Sequence, residues 1–209
     1  MDAEDVRLAV YRSFAATGRA PQRDSLDERA LRELHERRHV VLGAHDEVLM
    51  AHPFSAIPLG FSVMGRETLW WGGCAWDSFA LAHLLPEERD VLVATRCPGC
   101  DTALAWVVGH GAPPTGDEVA HFLTPVAHMW DDVVRTCGNQ RLFCREECVA
   151  VWLARTGDER GYVMDLATLW RLARGWYEGR LDRGYQRREP SHARDYFRSV
   201  GLSGPFWGL

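Results

Sequence analysis

In the run Trp70-Trp71-Gly72-Gly73-Cys74-Ala75-Trp76-Asp77, a thiol and a carboxyl stand three residues apart, just past an apolar strand-like stretch and at the start of a helix-like one. Residues three apart on a helical turn share a face, so Cys74 and Asp77 can address one ligand atom. A thiolate is a soft nucleophile and a soft metal ligand. A carboxyl among Trp70, Trp71 and Trp76 can have its pKa raised far enough to hold a proton. Together they could grip a soft metal and deliver a proton beside it. An isolated C-x-x-D more often means a buried cysteine followed by a capping or surface aspartate. The rest of the chain decides between the two.

Six cysteines are present: Cys74, Cys97, Cys100, Cys137, Cys144 and Cys148. In a chain of this size outside an oxidising compartment they read as metal ligands, catalytic groups or core thiols rather than disulfides. Cys97-Pro98-Gly99-Cys100 is a knuckle of the type that holds Zn(II), and Cys144 and Cys148 are spaced i,i+4 at a helix start. Four thiolates from these two places would complete a structural zinc site and leave Cys74 and Cys137 free. No thioredoxin-like βαβ pattern surrounds the C-x-x-C, which counts against a redox pair. Asp131 and Asp132 are adjacent, point different ways and form no carboxylate pair. His121 and His128 read as ordinary core or surface histidines.

The elements that must position these groups follow from periodicity. Val6, Ala9, Val10 and Phe14 have helical spacing. A second helical stretch opens at Ser25, the expected N-cap, with Glu28 completing a capping box. Two short apolar runs, 39–42 and 48–51, flank the turn-like Gly43-Ala44-His45-Asp46. Helices followed by a hairpin predict a winged-helix-like region over residues 1–55. Its Arg29, Arg32, Arg37 and Arg38 are matched by Asp27, Glu28, Glu33 and Glu36, which favours a solvated helix face over a nucleic-acid contact. The proline-bearing connector AHPFSAIP marks the boundary with a second unit, 56–209. There the pattern predicts a hairpin over 61–71, a helix over 77–85, strands over 90–96 and 103–108, and a short extended piece at 121–125. Helices are predicted over 145–154 and 166–181, followed by an apolar tail that docks on the core. Residues 129–135 fit either helix or strand. This alternation predicts an α+β fold with a mixed or antiparallel sheet.

Composition sets outer limits. The 209 residues are 46% hydrophobic, enough for a proper core, and the net charge of −5 argues against a dedicated nucleic-acid binder. All 24 basic side chains besides histidine are arginines, a coding bias rather than chemistry. No apolar run reaches the ~20 residues of a membrane span. The acidic, amphipathic N-terminus does not resemble a signal peptide, so a cytoplasmic protein is expected.

The sequence resembles the alkylmercury (organomercurial) lyase family over most of its length. Cys74-Ala75-Trp76-Asp77 is similar to the family's cysteine–aspartate signature, and Thr136-Cys137-Gly138-Asn139-Gln140-Arg141-Leu142-Phe143 to its second cysteine segment. Cys97 falls where the family often carries a supporting cysteine. HPFSAIP, GGCAWD, CPGC and GLSGPFW resemble a divergent branch. Gly138 stands where the family commonly has another cysteine beside the second one, which puts product handling in question.

The resemblance implies a winged-helix-like N-terminal region, an α+β catalytic domain and protonolysis of a carbon–mercury bond. Cys74 and Cys137 would be the thiolates on mercury. Asp77 would take a thiol proton and then give it to carbon, which is general acid work. It further implies a small organometallic substrate, Hg(II) as product, no organic cofactor, and free thiols or a mercuric reductase as acceptor. Two other readings stay open: a non-catalytic thiolate sensor or carrier of Hg, Cu or Zn, and a lyase fold acting on another soft-element compound.

Overall fold

The computed structural model describes residues 2–209. The first amphipathic run forms α1 (Ala3–Thr17), capped by the Asp2 carboxylate and closed by Gly18 in the left-handed region. The second forms α2 (Glu28–Glu36), whose N-cap is Asp27 rather than Ser25. The Asp27 carboxylate accepts from the Ala30 amide, while the Ser25 hydroxyl donates to the Gln22 carbonyl in a preceding 3₁₀ turn. Both residue types cap well, and the one nearer the apolar stripe takes the role. Arg32 pairs with Asp46 at 2.6 Å and Arg37 with Glu33 at 3.2 Å, so these arginines of the α2 region are engaged by the chain's own acids.

After α2 come β1 (Val41–Leu42), β2 (Val48–Ala51), β3 (Phe54–Ser55), β4 (Phe61–Met64) and β5 (Leu69–Gly72). The helix α3 (Ala75–Leu84) follows, then β6 (Asp90–Arg96) and β7 (Ala103–Gly109). These strands form one antiparallel sheet ordered β1-β2-β3-β5-β4-β6-β7. The hairpin after α2 therefore continues through β3, at residues 54–55, into the sheet that carries the C-x-x-D segment.

A second, smaller sheet, β10-β8-β9, is built from β8 (Val119–Phe122), β9 (Gln140–Phe143) and β10 (Tyr162–Asp165). The ambiguous stretch between β8 and β9 resolves into a turn at 129–131, just after a 3₁₀ turn, and the start of the short helix α4 (Val133–Gly138), capped by Asp132. α5 (Glu146–Thr156), α6 (Leu166–Trp176) and α7 (Pro190–Ser199) complete the fold.

α3 is the core helix: every residue in it except His83 is buried. A helix that is apolar all round has to be enclosed, and α3 lies against the large sheet, α6 and β9. α6 stops at Trp176 rather than reaching Leu181, and the chain turns through Gly179, which adopts a φ of 74°. α7 goes beyond the predicted helices; its Ala193, Tyr196 and Phe197, with Val200 at its C-cap, keep helical spacing and face the core, with Phe197 fully buried. The tail does dock: Trp207 is fully buried, with its ring beside Trp76, Phe197 and Tyr162.

Candidate active site

β5 delivers its last residues through Gly72 and Gly73 to Cys74, the N-cap of α3. Neither glycine has room for a side chain. A Cβ on Gly72 would meet the Ser78 hydroxyl at 2.0 Å, and one on Gly73 would meet Asp77 Oδ2 at 2.3 Å. The chain thus comes close enough to its own helix for Cys74 Sγ to accept the Asp77 amide N–H at 3.4 Å. The Ser78 hydroxyl fixes the turn by donating to the Cys74 carbonyl at 2.6 Å.

Cys137 arrives from α4, on the far side of the cavity in sequence but adjacent in space. Its Sγ lies 3.9 Å from Asp77 Oδ2 and close enough to the Cys74 thiol to interact with it. Three side chains that sequence reasoning missed complete the cluster. His52, in the β2–β3 loop, puts Nε2 at 3.4 Å from Cys137 Sγ and 4.0 Å from Asp77 Oδ2. The Tyr177 hydroxyl donates to Asp77 Oδ1. Arg180 donates to the His52 carbonyl at 2.7 Å and to the hydroxyls of Tyr11 and Tyr185, which ties α1 and the β2–β3 loop to the site. The only cue to His52 was a polar residue inside a proline-rich connector. Tyr177 and Arg180 gave none.

Burial governs the protonation states. It pushes the Asp77 carboxyl up to about 7 against the opposing pull of Tyr177, Cys74 and Arg180. It also drives the Cys74 thiol well above its ordinary value, with Cys137 and the Asp77 charge adding to the effect. For Cys137, contact with Cys74 pulls the other way, but burial and the carboxylate outweigh it and the thiol is raised. Burial and the charges of Arg180 and Arg187 hold His52 down to about 3. Although His52 stands at ion-pair distance from Asp77, its imidazole is neutral at physiological pH and can share a hydrogen bond with the Cys137 thiol. At rest the site holds two thiols, a neutral imidazole and a carboxyl poised near neutrality.

These groups open onto a cavity of about 220 Å³ whose apolar wall includes Trp76, Met129, Trp130, Val133 and Trp176. A dry apolar cavity of about 150 Å³ already accepts benzene, so a group of aryl or short alkyl size fits. His52 Nδ1 and the Trp76 indole nitrogen are buried there without protein partners.

The structure gathers the other four cysteines elsewhere, with the sulfurs of Cys97, Cys100, Cys144 and Cys148 all within 4.8 Å of one another. His128 lies at the surface with Asp131, and the buried His121 accepts the Gly161 amide, so neither belongs to the cysteine–aspartate cluster.

The alkylmercury lyase family profile matches residues 54–178, more than half of the chain. The chain belongs to the alkylmercury lyase family. A solved structure, the mercury-bound form of MerB2, shares the fold with a TM-score of 0.61 and 18% identity, covering 82% of this chain and 87% of that one. Comparison with curated proteins gives no match. The matched lyase span contains Cys74, Asp77, Cys137 and Tyr177, while His52 and Arg180 lie just outside it at either end. No helix among the described residues is long and apolar enough to cross a membrane.

Proposed function

We propose that this alkylmercury lyase family member cleaves a carbon–mercury bond by protonolysis, with Cys74 and Cys137 taking the metal and Asp77 moving the proton. The observation that carries this reading is the meeting of two buried thiols with one buried carboxyl, poised near pH 7, inside an aromatic cavity. A general acid works best when its pKa lies near the operating pH. Expelling a free carbanion from mercury is unfavourable in water, so the bond persists there. Two thiolates on Hg(II) donate electron density to the metal and weaken its bond to carbon, and soft sulfur suits soft mercury.

The protons balance with the residues present. The substrate enters as R–Hg–SR′. Cys137 forms the first sulfur–mercury bond, and its proton leaves with the displaced thiolate as R′SH, while the neutral imidazole of His52 orients the sulfur through a hydrogen bond. Cys74 forms the second bond and passes its proton to the Asp77 carboxylate. Asp77 then protonates the carbon as the electron pair of the carbon–mercury bond goes to it, releasing R–H and restoring the carboxylate. The dithiolate-bound Hg(II) leaves when two external thiols exchange onto it and return protons to both cysteines. The cavity's tryptophans hold R and keep water from the departing carbon.

The test is headspace detection of benzene from phenylmercury in the presence of excess free thiol. Native protein is expected to release benzene, and Asp77→Asn to slow release by roughly 10²–10⁴-fold, the usual size of a general acid's contribution. Tight mercury binding without benzene from native protein would replace this reading with a mercury carrier.

A further inference from the structure

Two segments distant in sequence bring four thiols to one point away from the mercury-handling pair. Cys97 and Cys100 bracket the turn between β6 and β7. Cys144 and Cys148 flank the start of α5, with Cys144 standing 44 residues after Cys100 and its sulfur 3.5 Å away. We propose that these four thiolates form a closed structural Zn(II) site that fastens the large sheet to the small one.

Geometry is the first support. A tetrahedral ion with Zn–S bonds of about 2.3 Å sets its sulfurs about 3.8 Å apart. The observed envelope of 4.8 Å needs little contraction to reach that. Disulfides join sulfurs in pairs at about 2.0 Å, and four sulfurs drawn to one point exceed what pairwise bonding needs. One ion satisfies all four.

The surroundings are shaped for the same purpose. Gly99 lies so close to α5 that a Cβ there would stand 2.3 Å from the Cys148 carbonyl oxygen and 2.7 Å from its Cβ. The knuckle is closed by the Asp101 amide donating to the Cys97 carbonyl at 2.8 Å and the Cys97 amide to the Thr102 carbonyl at 2.9 Å. Asp101 turns through a φ of 60° to allow it. Arg155 of α5 donates to the Pro98 carbonyl. Two groups are placed to support thiolates: the Cys144 amide points at Cys97 Sγ at 3.5 Å, and the Thr102 hydroxyl lies 3.2 Å from Cys100 Sγ. Outer contacts of this kind orient metal ligands. Four thiolates around Zn(II) leave a net charge of −2, and Arg96, Arg145 and Arg155 lie on the same two segments.

With every position filled by protein, such a site has no open coordination for a substrate, so its role is structural. Its consequence for the reaction is positional. β9 and α5 hang from the cluster, and α4, which carries Cys137, leads directly into β9. Zinc would therefore fix the element that brings Cys137 to Cys74 and Asp77. A thiol must give up its proton to bind the ion, which ties metal affinity to pH.

The test is metal content by mass spectrometry on protein purified under reducing conditions. One zinc per chain is expected in native protein and in Cys74→Ala/Cys137→Ala, and none in Cys100→Ser/Cys144→Ser. Cys100→His, which keeps four donors, is expected to retain one zinc even if the double serine variant fails to fold. Cobalt exchanged into native protein should give the absorption of a tetrahedral tetrathiolate, changed in Cys100→His to that of three sulfurs and one nitrogen. Zinc-free native protein that also takes up no cobalt would overturn the proposal, as would zinc lost from Cys74→Ala/Cys137→Ala, or a Cys100–Cys144 disulfide in the reduced preparation.

Discussion

Burial shifts the protonation of Asp77 toward neutrality, and the shift has a stability signature. The carboxyl titrates near 3.8 in an open chain and about 7 in the fold. The folded state thus favours the protonated form, and this favourable contribution is complete below the unfolded pKa and lost as pH rises through the folded one. At pH above about 7.5 the fold carries the full cost of an ionised buried carboxylate, on the order of 4 kcal/mol at about 1.4 kcal/mol per pH unit. Asp77→Asn removes that ionisation. The variant should therefore gain stability over native protein as pH rises from about 4 to about 8, followed by urea unfolding at several pH values. A stability difference that does not change with pH would show that the carboxyl titrates in the ordinary range. Tyr177 acts on the same group in the opposite sense, because its hydroxyl donates to the ionised form. In the proposed protonolysis Asp77 begins as a base, so activity should rise with pH through about 7. Tyr177→Phe should move that rise alkaline by about 1–2 pH units, since a hydrogen bond to a charged group contributes roughly 1.5–3 kcal/mol. A drop in rate with an unmoved pH profile would leave Tyr177 a packing role only.

At the scale of elements, the site depends on one core helix and on what braces it. Trp76 precedes Asp77 on α3, and its ring forms part of the cavity wall. Behind it stands Trp207, 6.2 Å away between centroids and 5.0 Å from Phe197. Trp207→Ala removes a fully buried indole and should cost about 3–5 kcal/mol. It should also raise KM for phenylmercury more than it lowers kcat, because the wall loosens while the Cys74–Asp77 turn stays held by Ser78. Urea unfolding and steady-state kinetics on one preparation check both, and an unchanged KM would separate the tail from the cavity. The local part of this arrangement was legible in the sequence. Alternation marked β6 and the β4–β5 hairpin, and three-residue spacing marked the Cys74–Asp77 turn, since both patterns are set by neighbours along the chain. Cys137 could be tied to the pair only through the family resemblance. The roles of His52, Tyr177 and Arg180 could not be read, because their partners lie 85, 100 and 128 residues away. The end of α6 was missed for a related reason. Apolar spacing persists through Tyr177 and Leu181 because Tyr177 faces Asp77 and Leu181 packs against the core, while Gly179 turns the backbone between them.

Over the whole molecule, charge is distributed unevenly in a way that bears on the substrate. The chain is acidic overall, at −5, and many of its arginines are paired with carboxylates, as in Arg7–Glu4, Arg183–Asp5 and Arg160–Glu146. The cavity lining instead includes Arg38, Arg187 and Arg188. Arg187 and Arg188 donate to main-chain carbonyls, those of Arg37 and Gly175, and Arg38 and Arg187 both lie over the Trp130 ring. Among the described residues Asp77 is the only carboxylate lining the cavity, and it sits at the buried end with the thiols. If the protein cleaves arylmercurials as proposed, a cationic, aromatic wall of this kind should favour one whose ring carries a carboxylate, because the ring can lie on tryptophan while the anion meets guanidinium. Part of that attraction acts at a distance and is screened by salt. Arg187→Gln should therefore lower kcat/KM for a carboxylated arylmercurial by about tenfold, equivalent to about 1.4 kcal/mol, and leave neutral phenylmercury within about twofold. Raising ionic strength should reduce the native preference for the carboxylated compound in the same direction. Equal losses on both substrates would mean that Arg187 supports Trp130 as a wall and contributes no charge recognition, and the preference for anions would then have to come from Arg38 or Arg188.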